Sequence, residues 1–198
     1  MIKYKKLVVT IGWLLVIFPF LVYFYIKILK WPEDIYIYKN KTMTQLIVKS
    51  PYFTDWWIIP SEFTCDWQDL FPTIEVWNIP AEATNLILYV EDPDAPMERP
   101  FIHLMAVNIP VDSWTKLIDQ QVLESEAVLW INDFGNLWWN GPCPPHWHGV
   151  HHYYFKVLAF ANELPLSGWF TISEFVKAIS SYQGYIVGSG ELIGLYQR

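Results

Sequence analysis

The sequence predicts an all-β domain, a two-sheet, Greek-key-like sandwich with a few peripheral helices, preceded by an N-terminal transmembrane helix. Three observations carry this. Past residue 50 the chain alternates short apolar runs with proline-rich turns, the pattern of an all-β domain. A single segment shows strong helical periodicity. The first thirty residues contain an uncharged run far longer than any strand.

That run, Leu7 to Ile26, holds twenty residues without a charge, flanked by Lys3, Lys5 and Lys6 before it and by Lys27 and Lys30 after. A bilayer core of roughly 30 Å needs about twenty apolar residues in a helix. Pro19 inside it is compatible with a membrane span. A cleaved signal peptide would have a shorter apolar core and a small-residue cleavage site, whereas "KILKWPED" follows Ile26. Residues 1–30 are therefore read as a retained single-pass anchor. The lysines before the span favour a cytoplasmic N-terminus and an extracytoplasmic domain, with secretion after cleavage as the competing outcome.

Residues 31–50 read as a connector and 51–198 as the folded domain. Within it, Leu86 to Val90, Phe101 to Ile109, Tyr153 to Phe160 and Tyr185 to Tyr196 are the clear strands. Glycines 188, 190 and 194 in the last one predict bulges or close backbone approach. Thr171 and Glu174 fit a capping box, and Ile172, Phe175, Val176 and Ile179 form the apolar stripe of a helix that should pack on a sheet.

Charge limits the partners. Five of the thirteen basic residues and none of the twenty acids lie in the first thirty positions, leaving eight basic against twenty acidic residues, a net −12, after Lys30. Such a surface lacks the clustered cations that nucleic acid requires and is repelled by anionic lipid. Any anion it binds must be held by local donors.

Two stretches could supply them. In "EDPDAP" at 91–96, the prolines fix φ and push Asp92 and Ala95 toward extended geometry. An extended chain would point Asp92 and Asp94 to the same side, although an Asx turn explains the same residues. "GPCPPHWHGVHHYYF" at 141–155 holds four of the five histidines. A metal site would need three or four convergent ligands, such as His146, His148 and His151 or His152. No Cys-x-x-Cys or His-Glu-x-x-His framework accompanies them, and in a strand His151 and His152 face opposite ways. The fifth, His103, sits in a strand pattern and reads as a core histidine or, beside a carboxylate, as an anion donor of raised pKa. Walker, dinucleotide-binding and nucleophile-elbow signatures are absent.

The ordered motifs "FTCD" (63–66), Trp77, "VEDPDAP" (90–96), His103 with "VNIP" (107–110), "NDFG" (132–135), "GPCPP" (141–145), His151-x-Tyr153-x-Phe155 and the ending "GLYQR" share one resemblance. The chain from about Phe63 to Arg198 resembles the phosphatidylethanolamine-binding protein family, which includes the Raf kinase inhibitor proteins, in its bacterial and archaeal branch. The resemblance implies a two-sheet fold with a small pocket for phosphate-like groups. Carried over by motif, Asp92, Asp94, His103, Gly141, Pro142, His151, Tyr153 and Tyr196 would line it, with His146 and His148 as loop decoration. Trp67, Phe71-Pro72-Thr73, Leu104 and His152 depart from the family pattern and alter the bulk and charge of the mouth. The two cysteines, Cys65 and Cys143, fall in family motifs, and a disulfide between them or free thiols are both open.

The expected function is thus a membrane-anchored binding protein with a small anion pocket for phosphate or phosphorylethanolamine-like ligands. It would act by binding a ligand or by inhibiting a kinase or protease, with no cofactor, metal or catalytic residue. A phosphoester hydrolase using Asp92 and His151, or a histidine-cluster metal protein, are the alternatives.

Overall fold

The structure is a computed structural model that describes residues 43–166 and 170–198. The expected anchor, 7–26, and most of the connector lie outside the described residues. Among the described residues no helix is long and apolar enough to cross a membrane. The chain divides into two units, Met1–Ile37 and Tyr38–Arg198, and every described residue belongs to the second.

Among the described residues ten strands form two sheets. The larger contains β1 (Thr44–Gln45), β3 (Trp57–Ile58), β5 (Asn85–Asp92), β6 (Phe101–Pro110), β8 (Val128–Leu129), β9 (His151–Phe160) and β10 (Ile186–Tyr196). Its order is β1-β10-β9-β5-β6-β8, with β3 also pairing β10. The smaller sheet is β2 (Ile47–Lys49), β4 (Ile74–Trp77) and β7 (Thr115–Ile118), in the order β2-β4-β7.

The core lies between the sheets. From the large sheet it takes Leu86, Leu88 and Val90 of β5, and Tyr153, Phe155, Val157 and Ala159 of β9. From the small sheet it takes Val48, Ile74, Val76 and Ile118. These follow the period of two that a pleated strand imposes. The residues of opposite parity in β5 are buried as well: Ile87 and Tyr89 are nearly inaccessible. Tyr89 meets Phe175 with ring centroids 6.0 Å apart. Phe175 belongs to α2 (Ile172–Tyr182), whose capping box forms as the sequence predicts. The four expected strands are present, and the helix packs on the outer face of the large sheet, adding a third layer. Sequence periodicity missed the short helix α1 (Gln120–Glu126), which Asp119 caps by accepting from Val122 N.

The connector requires correction. Thr44–Gln45 pairs parallel with β10, and Ile47–Lys49 pairs antiparallel with β4, so residues 44–49 belong to both sheets. Strands of two and three residues are too short to show alternation, which is why they read as linker. Their approach explains a glycine in β10: a Cβ on Gly190 would lie 2.6 Å from Leu46 O.

Candidate functional site

The site forms where β5 ends and β9 begins. Asp92 is the last residue of β5, His151 the first of β9, and Tyr153 follows two residues on, facing the same way. On the other side of β5, the pairing with β6 slips between Val90↔Leu104 and Glu91↔Ile102. His103 is the extra residue of this β-bulge. The bulge lets consecutive His103 and Leu104 both point inward, a re-aiming that bulges commonly provide beside sites. The His103 carbonyl is buried and paired: it accepts from Asn132 Nδ2 at 3.0 Å and from Asn140 N at 3.4 Å.

These residues share a cavity of about 230 Å³, lined by Asp92, His103, His151 and Tyr153 at its polar wall. Phe101, Phe134, Met97, Pro96, Ala95, Cys143, Pro144 and Pro145 complete it. It lies below the usual range for drug-sized ligands and suits a small head group.

Each polar group is held from behind. Asp92, 3% exposed, accepts Asp94 N–H on Oδ1 at 2.8 Å and faces His151 Nδ1 with Oδ2 at 2.7 Å. One carboxylate oxygen of Asp92 thus makes the Asx turn and the other orients a histidine. His103 Nδ1 lies 2.6 Å from Asn140 O, so that nitrogen carries the proton and Nε2 points away from the backbone. Burial pushes the His103 imidazole below its ordinary value, outweighing the Asn140 carbonyl and the nearby carboxylates that favour its charged form. The raised value expected from a neighbouring carboxylate is thus reversed by desolvation. Burial pushes the Tyr153 phenol up, with Asp92 adding to the effect and the Cys143 amide opposing it. Among the described residues no hydrogen-bond acceptor takes the Tyr153 hydroxyl proton.

The covering loop is fixed by a disulfide between Cys65 and Cys143, which closes a separation of 78 residues. Gly141 and Pro142, expected as lining, lie behind the wall. Gly141 N donates to Asp69 Oδ1 at 2.6 Å, and a Cβ there would sit 2.1 Å from Phe63 O. Pro142 O accepts from Cys65 N at 3.2 Å. Asp94 and Tyr196 also lie outside the lining. The chain turns after Asp92, so Asp94 is carried away from the cavity and binds His152 instead, through Oδ2 to Nδ1 at 2.7 Å and to the backbone N at 2.8 Å. Tyr196 pairs with His151 in the β9–β10 register, but its hydroxyl donates to Asp66 at 2.6 Å.

Three contributors escaped sequence reasoning. Asn132 Nδ2 bonds the carbonyls of His103 and Trp138 and Asn140 Oδ1, while its Oδ1 accepts from Phe134 N and Asn136 N. It thereby fixes the loop that presents Phe134. Asp133 accepts both Arg99 nitrogens, at 2.6 and 2.7 Å, and Ile102 N at 2.7 Å, clamping the start of β6. Both lie in the "NDFG" motif, which was the available signal. The third is His148: its Nδ1 lies 2.7 Å from His151 Nε2, so it is part of the site, whereas His146 is exposed loop as expected. Among the described residues no group of three or more histidine, cysteine or acidic side chains is arranged to hold a metal.

A buried carboxylate–imidazole pair, a second imidazole and a phenol thus surround a small cavity at one end of a two-sheet scaffold. The sequence model of the phosphatidylethanolamine-binding protein family matches residues 49–197, and the chain belongs to that family. A UPF0098 protein of Pyrococcus abyssi is 39% identical over 158 residues, covering 78% of this chain and 86% of the relative. The crystal structure of a phosphatidylethanolamine-binding protein homologue from Chlamydia trachomatis superposes with a TM-score of 0.67 at 26% identity, covering 78% of this chain and 99% of that one. A Mycobacterium tuberculosis relative carrying a lipoprotein description is 30% identical over 152 residues, 77% of this chain and 72% of the relative.

Proposed function

We propose that this chain is a membrane-anchored, extracytoplasmic binding protein whose cavity takes a phosphate-like anion, with phosphorylethanolamine as the favoured head group. The single observation that carries the reading is the convergence of His103, His151 and the unsatisfied Tyr153 hydroxyl on one cavity beside the buried Asp92. An imidazole whose Nδ1 is held by a carboxylate or carbonyl donates from Nε2 to a phosphate oxygen when it is protonated, and the Tyr153 hydroxyl supplies a proton in either state. Charge-assisted bonds of that kind are the strong ones. Asp92 also offers an acceptor near an ammonium group, which suits a zwitterion. The Cys65–Cys143 bond agrees with an oxidising compartment, and the lipoprotein description of one relative agrees with residence at a membrane. Residues 7–26 would be the anchor.

The test is calorimetric titration of the full chain in nonionic detergent with phosphorylethanolamine. Saturable one-to-one binding that drops at least tenfold in His151→Ala and Tyr153→Phe is the expected result. Steady turnover of a phosphoester, abolished by His151→Ala, would refute the reading in favour of a hydrolase.

A further inference from the structure

Among the described residues five besides glycine adopt positive φ, and three of them, Asp69, Asn78 and Asn108, are of types that tolerate it. The other two are tryptophans, Trp56 at φ 58° and Trp147 at φ 67°. Bulky residues in the left-handed region are outliers, and such outliers cluster at functional sites. Neither ring is thereby turned into the core. Trp56 is exposed, and Trp147, at 96%, is the most exposed large apolar side chain described.

Both stand at the end of the large sheet that carries the cavity, where β5 and β10 finish and β6 and β9 begin. Trp56 N donates to Ile193 O at 2.7 Å, and its ring meets His152 with centroids 5.5 Å apart. Trp147 N donates to Arg198 O at 3.3 Å. Met97 and Phe134 line the cavity and are also exposed, so the apolar rim continues into the mouth. Three carboxylates of this end, Asp66, Asp94 and Asp133, face Arg198, His152 and Arg99. An acidic domain thus presents here an aromatic end with these acids paired.

We propose that this rim seats the cavity mouth on a lipid bilayer, so that the head group is taken from a lipid in place and not from free solution. The inference rests on the head-group reading and names the source of the head group. Tryptophan favours the level of the lipid head groups because its body is apolar and its N–H is polar. The acidity of the rest of the domain directs it to neutral, zwitterionic lipid. Two observations favour lipid over a protein partner. Met97 and Phe134 belong at once to the rim and to a cavity of about 230 Å³ that suits one head group. The chain also has the necessary reach. Thr44 pairs parallel with Gly188, eight residues before Tyr196, so β1 begins about 26 Å behind the cavity end. Sixteen residues, 27–42, follow the apolar run, and that many residues extend to at most about 55 Å. A bilayer holding Leu7 to Ile26 is therefore within reach of the cavity end.

The test is hydroxyl-radical footprinting of the full chain in vesicles of phosphatidylcholine and phosphatidylethanolamine, read by peptide mass spectrometry. The chain is kept dilute enough that a vesicle carries a single copy. Trp147 is compared with Trp114, which is 63% exposed and meets Trp77 of the small sheet. Undocked, Trp147 is the more exposed ring and oxidises at least as fast as Trp114. Docked for about two thirds of the time or more, it should oxidise at least about threefold more slowly than Trp114. Oxidation of Trp147 as fast as Trp114 overturns the docking and leaves the rim to a protein partner. Protection of Trp114 instead also overturns it, because another face then meets the lipid. A chain that does not float with the vesicles refutes the docking and the anchor together. Calorimetric titration with phosphorylethanolamine separates the two readings. Binding there with Trp147 unprotected sinks the docking and keeps the cavity, whereas protection of Trp147 without binding keeps the lipid-facing rim and refutes the head-group pocket.

Discussion

Asp92 and Asp94 come from one short motif, yet their environments predict very different consequences for the same substitution. Asp92→Asn keeps an oxygen for Asp94 N but places an amide against His151 Nδ1, where a carboxylate stood at 2.7 Å. The pair is buried on both sides, with side-chain exposures of 2% and 5%. Hydrogen bonds to charged groups contribute about 1.5–3 kcal/mol, and a buried group left mispaired adds its desolvation. Asp92→Asn should therefore cost about 2–3 kcal/mol. At about 2–4 °C per kcal/mol for a domain of this size, Tm should fall by roughly 4–12 °C. Asp94→Asn breaks a pair exposed by 33% and 40%, where the expected loss is below about 1 kcal/mol. Urea denaturation of both variants followed by circular dichroism measures the contrast. Equal effects, or an Asp92→Asn loss under about 0.5 kcal/mol, would show that the carboxylate is not the anchor of the site.

Replacing Cys65 and Cys143 together by alanine opens a loop of 78 residues, for which chain-entropy arguments give up to about 4.5 kcal/mol, observable as a lower urea midpoint. A loss below about 1 kcal/mol would mean that the loops are held without the bond. Gly141→Ala should destabilise by about 1–3 kcal/mol because the new Cβ would lie 2.1 Å from Phe63 O, and wild-type stability in the same assay would contradict that contact. His103 supplies a pH dependence. Its pKa is lowered by burial, so its neutral form is favoured in the folded state and its contribution is fully present above about pH 6.5. That contribution is lost as pH falls from there through the lowered folded value, at up to about 1.4 kcal/mol per pH unit. His103→Gln should flatten the slope below pH 6.5, and an unchanged slope would place the titration elsewhere.

What the sequence could and could not reveal divides along physical lines. Asp92, His103, His151 and Tyr153 were legible through the family motifs that carry them, and the strand period of two added only that His151 and His152 face opposite ways. The same rule failed for Asp94. It assumes an extended chain, and the Asp92 side chain instead captures Asp94 N and bends it. Gly141 was legible as a motif residue but not in its role, since it serves by having no Cβ against Phe63. The bulge at His103 leaves no trace in hydrophobic pattern, because both neighbours are apolar. His148 was the hardest: only the left-handed turn at Trp147 and Gly149 carries an exposed loop residue back to His151. Local polarity marks it as decoration, and tertiary geometry makes it a partner.

The acidity of the domain also changes meaning once the contacts are known. A net −12 after Lys30 would argue against any anion site if those charges faced it freely. Around the cavity they do not. Asp92 takes His151 and Asp94 N, Asp69 takes Gly141 N, Asp133 takes Arg99 and Ile102 N, and Asp94 takes His152. Each carboxylate accepts from the groups that shape the wall, so its charge is spent on orienting donors and fixing loops. What remains turned to the cavity is the Tyr153 phenol and the imidazole edges of His103 and His151. An anion that reached this site would be held by short-range donors inside a field that repels it at distance. Binding should therefore strengthen as ionic strength rises from low values, because salt screens the distant repulsion more than the buried contacts. Sulfate titrations at about 0.01 M and 0.15 M inert salt would test this, and weaker binding at the higher salt would mean that a cationic surface steers the ligand instead.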